Sequence, residues 1–288
     1  MQQVGVVGAA GRMGSWFTSY FAYRGLDVSA YDINNHKKLS IITSDNVKMK
    51  DTLDSCVRDA DLVLLSIPQE RMAQAVRECS KKMKKGATIA EISSIKNKTF
   101  AALKKVPRKI QPLCIHPMFG PGASQKMRAK VLLVPVRNES TELKIANEIF
   151  ENAAITVLPN AKQHDRLIAI VLGLTYFANI IFAKVISSSS NISMLKQVSG
   201  TTFGLQSLIA ESILTDDPDL IVALIQANVY TKKYINQYLK EAASIARLAA
   251  NKDNKHLKAS MQETKSRMRR WQDLQQSYRR MYDIAENF

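Results

Sequence analysis

The sequence predicts an α/β fold in which a doubly wound parallel sheet is followed by an all-α domain. Three observations predict it. Short β-branched runs alternate with amphipathic stretches over the first 160 residues, strand signals stop after Pro159, and four long helical stretches follow. Strands that alternate with helices imply parallel pairing through helical crossovers. A chain of 288 residues exceeds the usual size of a single domain. The boundary is therefore placed near residue 160, with domains of 1–160 and 161–288.

In chain order, strands are expected at residues 4–7, 27–31, 62–67, 88–92, 113–115, 131–136 and 155–158. Helices are expected between them at 13–23, 53–57, 70–83, 97–104 and 141–152. The second domain reads as helices over 163–186, 192–214, 218–251 and 254–286. Asp216-Asp217-Pro218 is a helix start with proline near the first turn, and residues 251–254 form a turn. Residues 167–183 carry no charge. A membrane span needs about 20 such residues, and this stretch also holds Gly173, Thr175, Tyr176 and Asn179. It is expected as a helix buried on all sides, in a core or a subunit interface. A homodimer through the second domain follows.

The first strand runs into Gly8-Ala9-Ala10-Gly11-Arg12-Met13-Gly14 and then an aromatic helix. Strand, glycine turn and helix form the Rossmann-like dinucleotide-binding arrangement. The glycines allow a tight turn, and the helix N-terminus offers N–H groups to a pyrophosphate. Ala10 stands where the strict G-x-G-x-x-G spacing has glycine. The second strand ends in Asp32, about 20 residues on, where a ribose hydroxyl is bound. Its charge would repel a 2′-phosphate, so NAD is preferred; Lys37 or Lys38 leaves room for NADP.

Residues 114–121, Cys-Ile-His-Pro-Met-Phe-Gly-Pro, deliver His116 to a strand exit on a loop stiffened by Pro117 and Pro121. Ligands bind at the carboxyl ends of such strands. Imidazole is suited to accept a proton near neutral pH. The competing reading is a core histidine bonded to backbone. Together with the nucleotide motif, the proline-locked setting favours function.

The formal net charge is +16. Basicity can signal nucleic acid, but here the cations are dispersed as pairs such as Lys81-Lys82, Arg269-Arg270 and Arg279-Arg280, without an aromatic stacking motif. A solvated basic surface that steers anions inward is expected, with neither nucleic acid nor membrane as partner. Cys56, Cys79 and Cys114 form no C-x-x-C pair, so neither zinc nor a disulfide framework is expected. No basic-then-apolar leader precedes the first strand, which points to the cytoplasm.

Taken together, several segments resemble the prephenate dehydrogenase family, in its monofunctional, archaeal-type form. They are Gly8 to Gly14 with Met13, Asp32, Ser66-Ile67-Pro68-Gln69, residues 91–97 (Glu-Ile-Ser-Ser-Ile-Lys-Asn) and 116–121 (His-Pro-Met-Phe-Gly-Pro). Gln163-His164-Asp165-Arg166 and residues 173–177 extend the likeness into the second domain. The resemblance implies NAD-dependent oxidative decarboxylation of prephenate to 4-hydroxyphenylpyruvate, on the route to tyrosine. It implies that His116 accepts the C4 hydroxyl proton and that Ser94 hydrogen-bonds the same hydroxyl. Ser94 also reads as a helix N-cap. Lys96 either attracts a substrate carboxylate or faces water. Tyr176 stands where some members carry histidine, and Gly204 where some carry an arginine for the ring carboxylate. No Lys or Arg occurs between Lys196 and Lys232, so Lys196, Lys232, Lys233 or a second subunit would have to supply that charge. Arogenate remains an alternative substrate. Two other readings are a β-hydroxyacid-type dehydrogenase, which needs a lysine where Thr175 stands, and a non-catalytic dinucleotide sensor.

Overall fold

The computed structural model describes residues 1–34 and 44–286. The chain divides into two compact units, Met1–Ile168 and Ala169–Phe288.

The first unit is built on an eight-stranded sheet of order β3-β2-β1-β4-β5-β6-β7-β8. Its strands are β1 (Gln3–Val7), β2 (Asp27–Tyr31), β3 (Val47–Met49), β4 (Leu62–Leu65), β5 (Thr88–Glu91), β6 (Gln111–Pro117), β7 (Lys130–Leu133) and β8 (Ala154–Val157). All neighbours pair in parallel except β6 and β7. The order reverses between β1 and β4, which makes the carboxyl ends of these two strands the switch point where such sheets bind ligands.

The helices are α1 (Arg12–Tyr23), α2 (Leu53–Val57), α3 (Gln69–Lys82), α4 (Asn97–Leu103), α5 (Glu139–Ile149) and α6 (Ala161–Ile168). Side chains alternate across each strand, so the central strands feed two cores. Val63, Leu65, Ile89 and Cys114 pack with Met72, Val76 and Leu103. Val6, Leu62, Leu64, Leu113 and Ile115 pack with Phe17, Phe21, Ile149 and Phe150. Burial on both faces explains why β4 reads as an unbroken apolar run.

Two strands depart from expectation. β3 was not expected: it is three residues long, and Lys48 and Met49 are exposed, so it has no apolar alternation to detect. β6 is longer than 113–115. His116 pairs with Leu132 and Pro117 with Val131, so His116 lies inside the strand and not on a loop beyond it. The cause is β7, which runs antiparallel and extends the ladder. Val134 N donates to Cys114 O and Met118 N to Lys130 O. By the alternation of such ladders, the missing N–H of Pro117 faces away from β7 and costs no bond.

The second unit is helical. A π-helical turn (Ala169–Leu174) leads to α7 (Thr175–Ser187), α8 (Ile192–Gln197), α9 (Thr201–Leu214), α10 (Pro218–Val222), a second π-helical turn (Ala223–Ala227), α11 (Thr231–Ala250), α12 (Asn254–Met268) and α13 (Leu274–Ala285). Three helices expected as single pieces are broken. Gly200, in extended conformation, separates α8 from α9. Asn228 turns its Oδ1 to Tyr230 N ahead of α11. Asp273 accepts from Gln275 N and Gln276 N, which starts α13. Apolar periodicity continues across these points, while short polar side chains compete locally for the backbone.

Phe182 packs on Phe203, and Phe177 on Tyr238. Val171 and Ile181 are 50% and 40% exposed. Within one chain, therefore, the uncharged stretch is not buried on all sides.

Candidate active site

Two sets of residues meet the criteria for a site, and both belong to the first unit. The first is the glycine turn. Gly8 has φ +85°, and a Cβ there would lie 2.2 Å from Ser66 O. A Cβ on Gly14 would lie 1.9 Å from Gly8 O. Only glycine permits this packing of strand, turn and helix. Gly8 N and Ala9 N donate to Tyr31 O, which ties the turn to β2. Asp32 accepts from Ala10 N at 3.0 Å and from Asn34 N at 2.9 Å, so its carboxylate is held at the turn.

Gly11 precedes α1 without a side-chain cap, and Arg12 and Met13 open its first turn. The helix N-terminus is thus left to face an anion. Ser66, Ile67 and Pro68 follow β4, with Ser66 N bonded to Val7 O at 2.9 Å. This backbone cradle with a fixed carboxylate fits a dinucleotide. Lys37 and Lys38 lie outside the described residues.

The second set surrounds His116, which is 4% exposed. Its Nδ1 is 3.0 Å from His164 Nε2, and His164 Nδ1 is 2.8 Å from Asp165 Oδ1. Asp165 Oδ1 also accepts from Lys96 N at 2.8 Å, and its Oδ2 from Asn97 N at 3.1 Å. A carboxylate that accepts these bonds cannot donate, so His164 carries its proton on Nδ1. His164 Nε2 then accepts from His116 Nδ1, and the lone pair of His116 is left on Nε2. Among the described residues, Ser207 Oγ alone is a fully buried side-chain polar atom without a partner. His116 Nε2 makes no bond among the described residues and, not being fully buried, reaches solvent.

Beneath the histidines lies a buried ion pair. Lys96 Nζ meets Glu91 Oε1 at 2.7 Å and Ile115 O at 2.6 Å, and both side chains are fully buried. Glu91 Oε2 accepts from Ser93 N, and Cys114 Sγ donates to Oε1. Burial, the Lys96 ammonium and His164 together hold the pKa of His116 well below the usual histidine range. Burial also lowers that of His164, against the opposing pull of its bond to Asp165. The arrangement holds a neutral, oriented imidazole.

Several expectations change here. Lys96 neither faces water nor offers its charge to a substrate, because Glu91 neutralises it and no part of the side chain is exposed. Ser94 does not cap α4. The cap position is Lys96, whose side chain makes no cap bond, and Asp165 closes the helix end from α6. Ser93, not Ser94, is tied into the Glu91 cluster. The Ser94 hydroxyl makes no bond among the described residues and is part-exposed. Tyr176 lies in the second unit, where its hydroxyl meets Asp216 Oδ2 at 2.6 Å. A Cβ on Gly204 would meet nothing within 4 Å, and Lys196 pairs with Glu211.

In the sequence, His164 and Asp165 stand only within the family likeness, with no role assigned by spacing. The available signal was a His-Asp pair in the first turn of a helix, next to Asn160, which caps that helix through Gln163 N.

Family models match most of the chain. The family model for the prephenate dehydrogenase nucleotide-binding domain matches residues 22–158, and the one for its dimerization domain matches residues 160–263. A probable arogenate/prephenate dehydrogenase of Methanocaldococcus jannaschii is 23% identical over 265 residues, covering 90% of this chain and 59% of that protein. The chain spans about three fifths of the length of the first curated relatives it matches. Among solved structures, prephenate dehydrogenase from A. aeolicus, in complex with hydroxyphenyl propionate and NAD+, superposes with a TM-score of 0.73. The identity is 20%, over 94% of this chain and 99% of that one. Synechocystis arogenate dehydrogenase superposes with a TM-score of 0.66 at 15% identity, over 94% of this chain and all of that one.

Proposed function

The chain belongs to the prephenate dehydrogenase family, and from that premise we propose that it catalyses the oxidative decarboxylation of prephenate to 4-hydroxyphenylpyruvate, a step toward tyrosine, with NAD as cofactor and with arogenate as the second candidate substrate. The observation that carries this reading is the hydrogen-bond chain from Asp165 through His164 to His116, which leaves the Nε2 lone pair of a neutral imidazole open. That lone pair accepts the C4 hydroxyl proton as the C4 oxygen gains carbonyl character. It returns the proton to the phenol oxygen after CO2 leaves and the ring becomes aromatic. A positioned base of this kind contributes roughly 10²–10⁴ in rate. The free hydroxyl of Ser94 hydrogen-bonds the same oxygen.

NAD+ supplies the hydride acceptor. Gly8, Ala10, Gly11, Arg12, Met13 and Gly14 receive its pyrophosphate, Asp32 its ribose, and Ser66, Ile67 and Pro68 line the far side of the turn. The Asp32 carboxylate disfavours a 2′-phosphate, which favours NAD over NADP.

The active form is a homodimer through the helical unit, and the protein works in the cytoplasm. The helical stretch Ala161–Ser187 is long and apolar enough to cross a membrane by length and composition. Its match to the family's dimerization domain supports a subunit interface as its setting.

Turnover assays that pair prephenate or arogenate with NAD+ or NADP+ test the reading. Prephenate with NAD+ should give the highest kcat/KM. Higher turnover of arogenate would change the substrate. Absence of turnover in every pairing would leave a dinucleotide-sensing protein as the better account.

A further inference from the structure

Asp165 has two duties that no motif reveals. Its carboxylate closes the N-terminus of α4 by accepting from Lys96 N and Asn97 N, and its Oδ1 also holds His164 Nδ1. We propose that Asp165 is a positioning residue for the proton acceptor: acting through His164, it fixes both imidazole tautomers so that the lone pair of His116 lies on Nε2. The proposal rests on the reading of His116 as the base.

The chain of bonds is directional. With a carboxylate at one end, His164 must donate from Nδ1, and His116 must in turn donate from Nδ1. Reversal at Asp165 reverses every bond. Asn at position 165 keeps the volume and one accepting oxygen. With that oxygen on Asn97 N, the N–H2 takes the place of Oδ1 and faces His164 Nδ1. His164 then carries its proton on Nε2 and donates to His116 Nδ1. His116 in turn carries a proton on Nε2 and can no longer accept the substrate's.

The other charged groups nearby do not set this direction. Lys96 and Glu91 satisfy each other, and Lys96 also bonds Ile115 O. Cys114 bonds Glu91. Because one carboxylate holds the helix start that follows Ser94 and, through His164, the ring of His116, it keeps the two groups proposed to act on the C4 hydroxyl in a common frame.

Long-range 1H–15N NMR of the full-length protein with 15N-labelled histidine reads the tautomers directly. The chain has four histidines, and His116→Gln and His164→Gln assign the two signals. In the wild type both rings should be protonated on Nδ1 and bare on Nε2. In Asp165→Asn both should invert. Its kcat should fall by roughly 10²–10⁴, as for a lost base, with KM for NAD+ unmoved. Wild-type His116 protonated on Nε2 would overturn the proposal, as would Asp165→Asn with wild-type tautomers or wild-type kcat. The wild-type spectrum decides even if the variant fails to fold. It also needs no substrate, so expected tautomers in a protein that does not turn over prephenate would overturn the substrate reading and leave the positioning role intact.

Discussion

The glycine turn and the histidine cluster are built in opposite ways. The turn is backbone chemistry: Gly8 to Gly14 pack so closely that two Cβ atoms would collide with main chain. The cluster is side-chain chemistry. Glu91 from β5, Lys96 from the segment before α4, His116 from β6, and His164 with Asp165 from α6 converge, though Lys96 and Asp165 are 69 residues apart in sequence. The turn presents amides that are already in place, whereas the cluster sets a protonation state. Damage to one should therefore leave the other's property intact.

The largest expected effect tests that separation. His116→Asn keeps some hydrogen bonding but loses the base. Its kcat should fall by roughly 10²–10⁴, with NAD+ affinity nearly unchanged by calorimetry. A parallel loss of NAD+ affinity would show that the two regions are not independent.

Lys96→Met addresses the cluster's own stability. It leaves Glu91 buried without its partner, which should cost about 3–5 kcal/mol in urea unfolding. A cost under about 1 kcal/mol would mean that the ion pair does not hold the cluster together.

Ser94→Ala should cost less, on the order of tenfold to a hundredfold in kcat, the equivalent of one hydrogen bond of about 1.5–3 kcal/mol. An unchanged kcat would remove Ser94 from the site. Asp32→Ser is the smallest change. It removes a like-charge repulsion and should narrow the preference for NAD+ over NADP+, as the ratio of the two kcat/KM values reports. An unchanged ratio would place the discrimination elsewhere.

The same contrast explains what could be read in the sequence. The turn is contiguous, so its glycines, the helix after it and Asp32 were legible from spacing alone. Most of the sheet was too, because β1, β4 and β5 are buried runs bounded by turns. β3 was not, since three half-exposed residues carry no pattern. The motif singles out His116 as a candidate proton acceptor, but its place inside β6 depends on β7 pairing from the other direction. The sequence around Lys96 does not show that Glu91 neutralises it in the core. Asp165 carries no signal of its contacts, because its partners, Lys96 and Asn97, adjoin it only in the fold. The helix breaks at Gly200, Asn228 and Asp273 were masked by apolar periodicity that runs across them.

The central claim is that the cluster keeps His116 neutral and its Nε2 available. The pH dependence of kcat/KM for prephenate, at saturating NAD+, tests it most directly, since this quantity reports the ionisation of the free enzyme's base. The groups around His116 are Lys96 before α4, His164 and Asp165 on α6, Glu91 on β5 and Cys114 on β6. Burial, the Lys96 charge and His164 all lower the pKa of His116, so the neutral form persists to lower pH than in a free histidine. The rate should stay level down through pH of about 6.5, the ordinary histidine value, and fall only below it. An acid limb centred at or above that value would contradict the account.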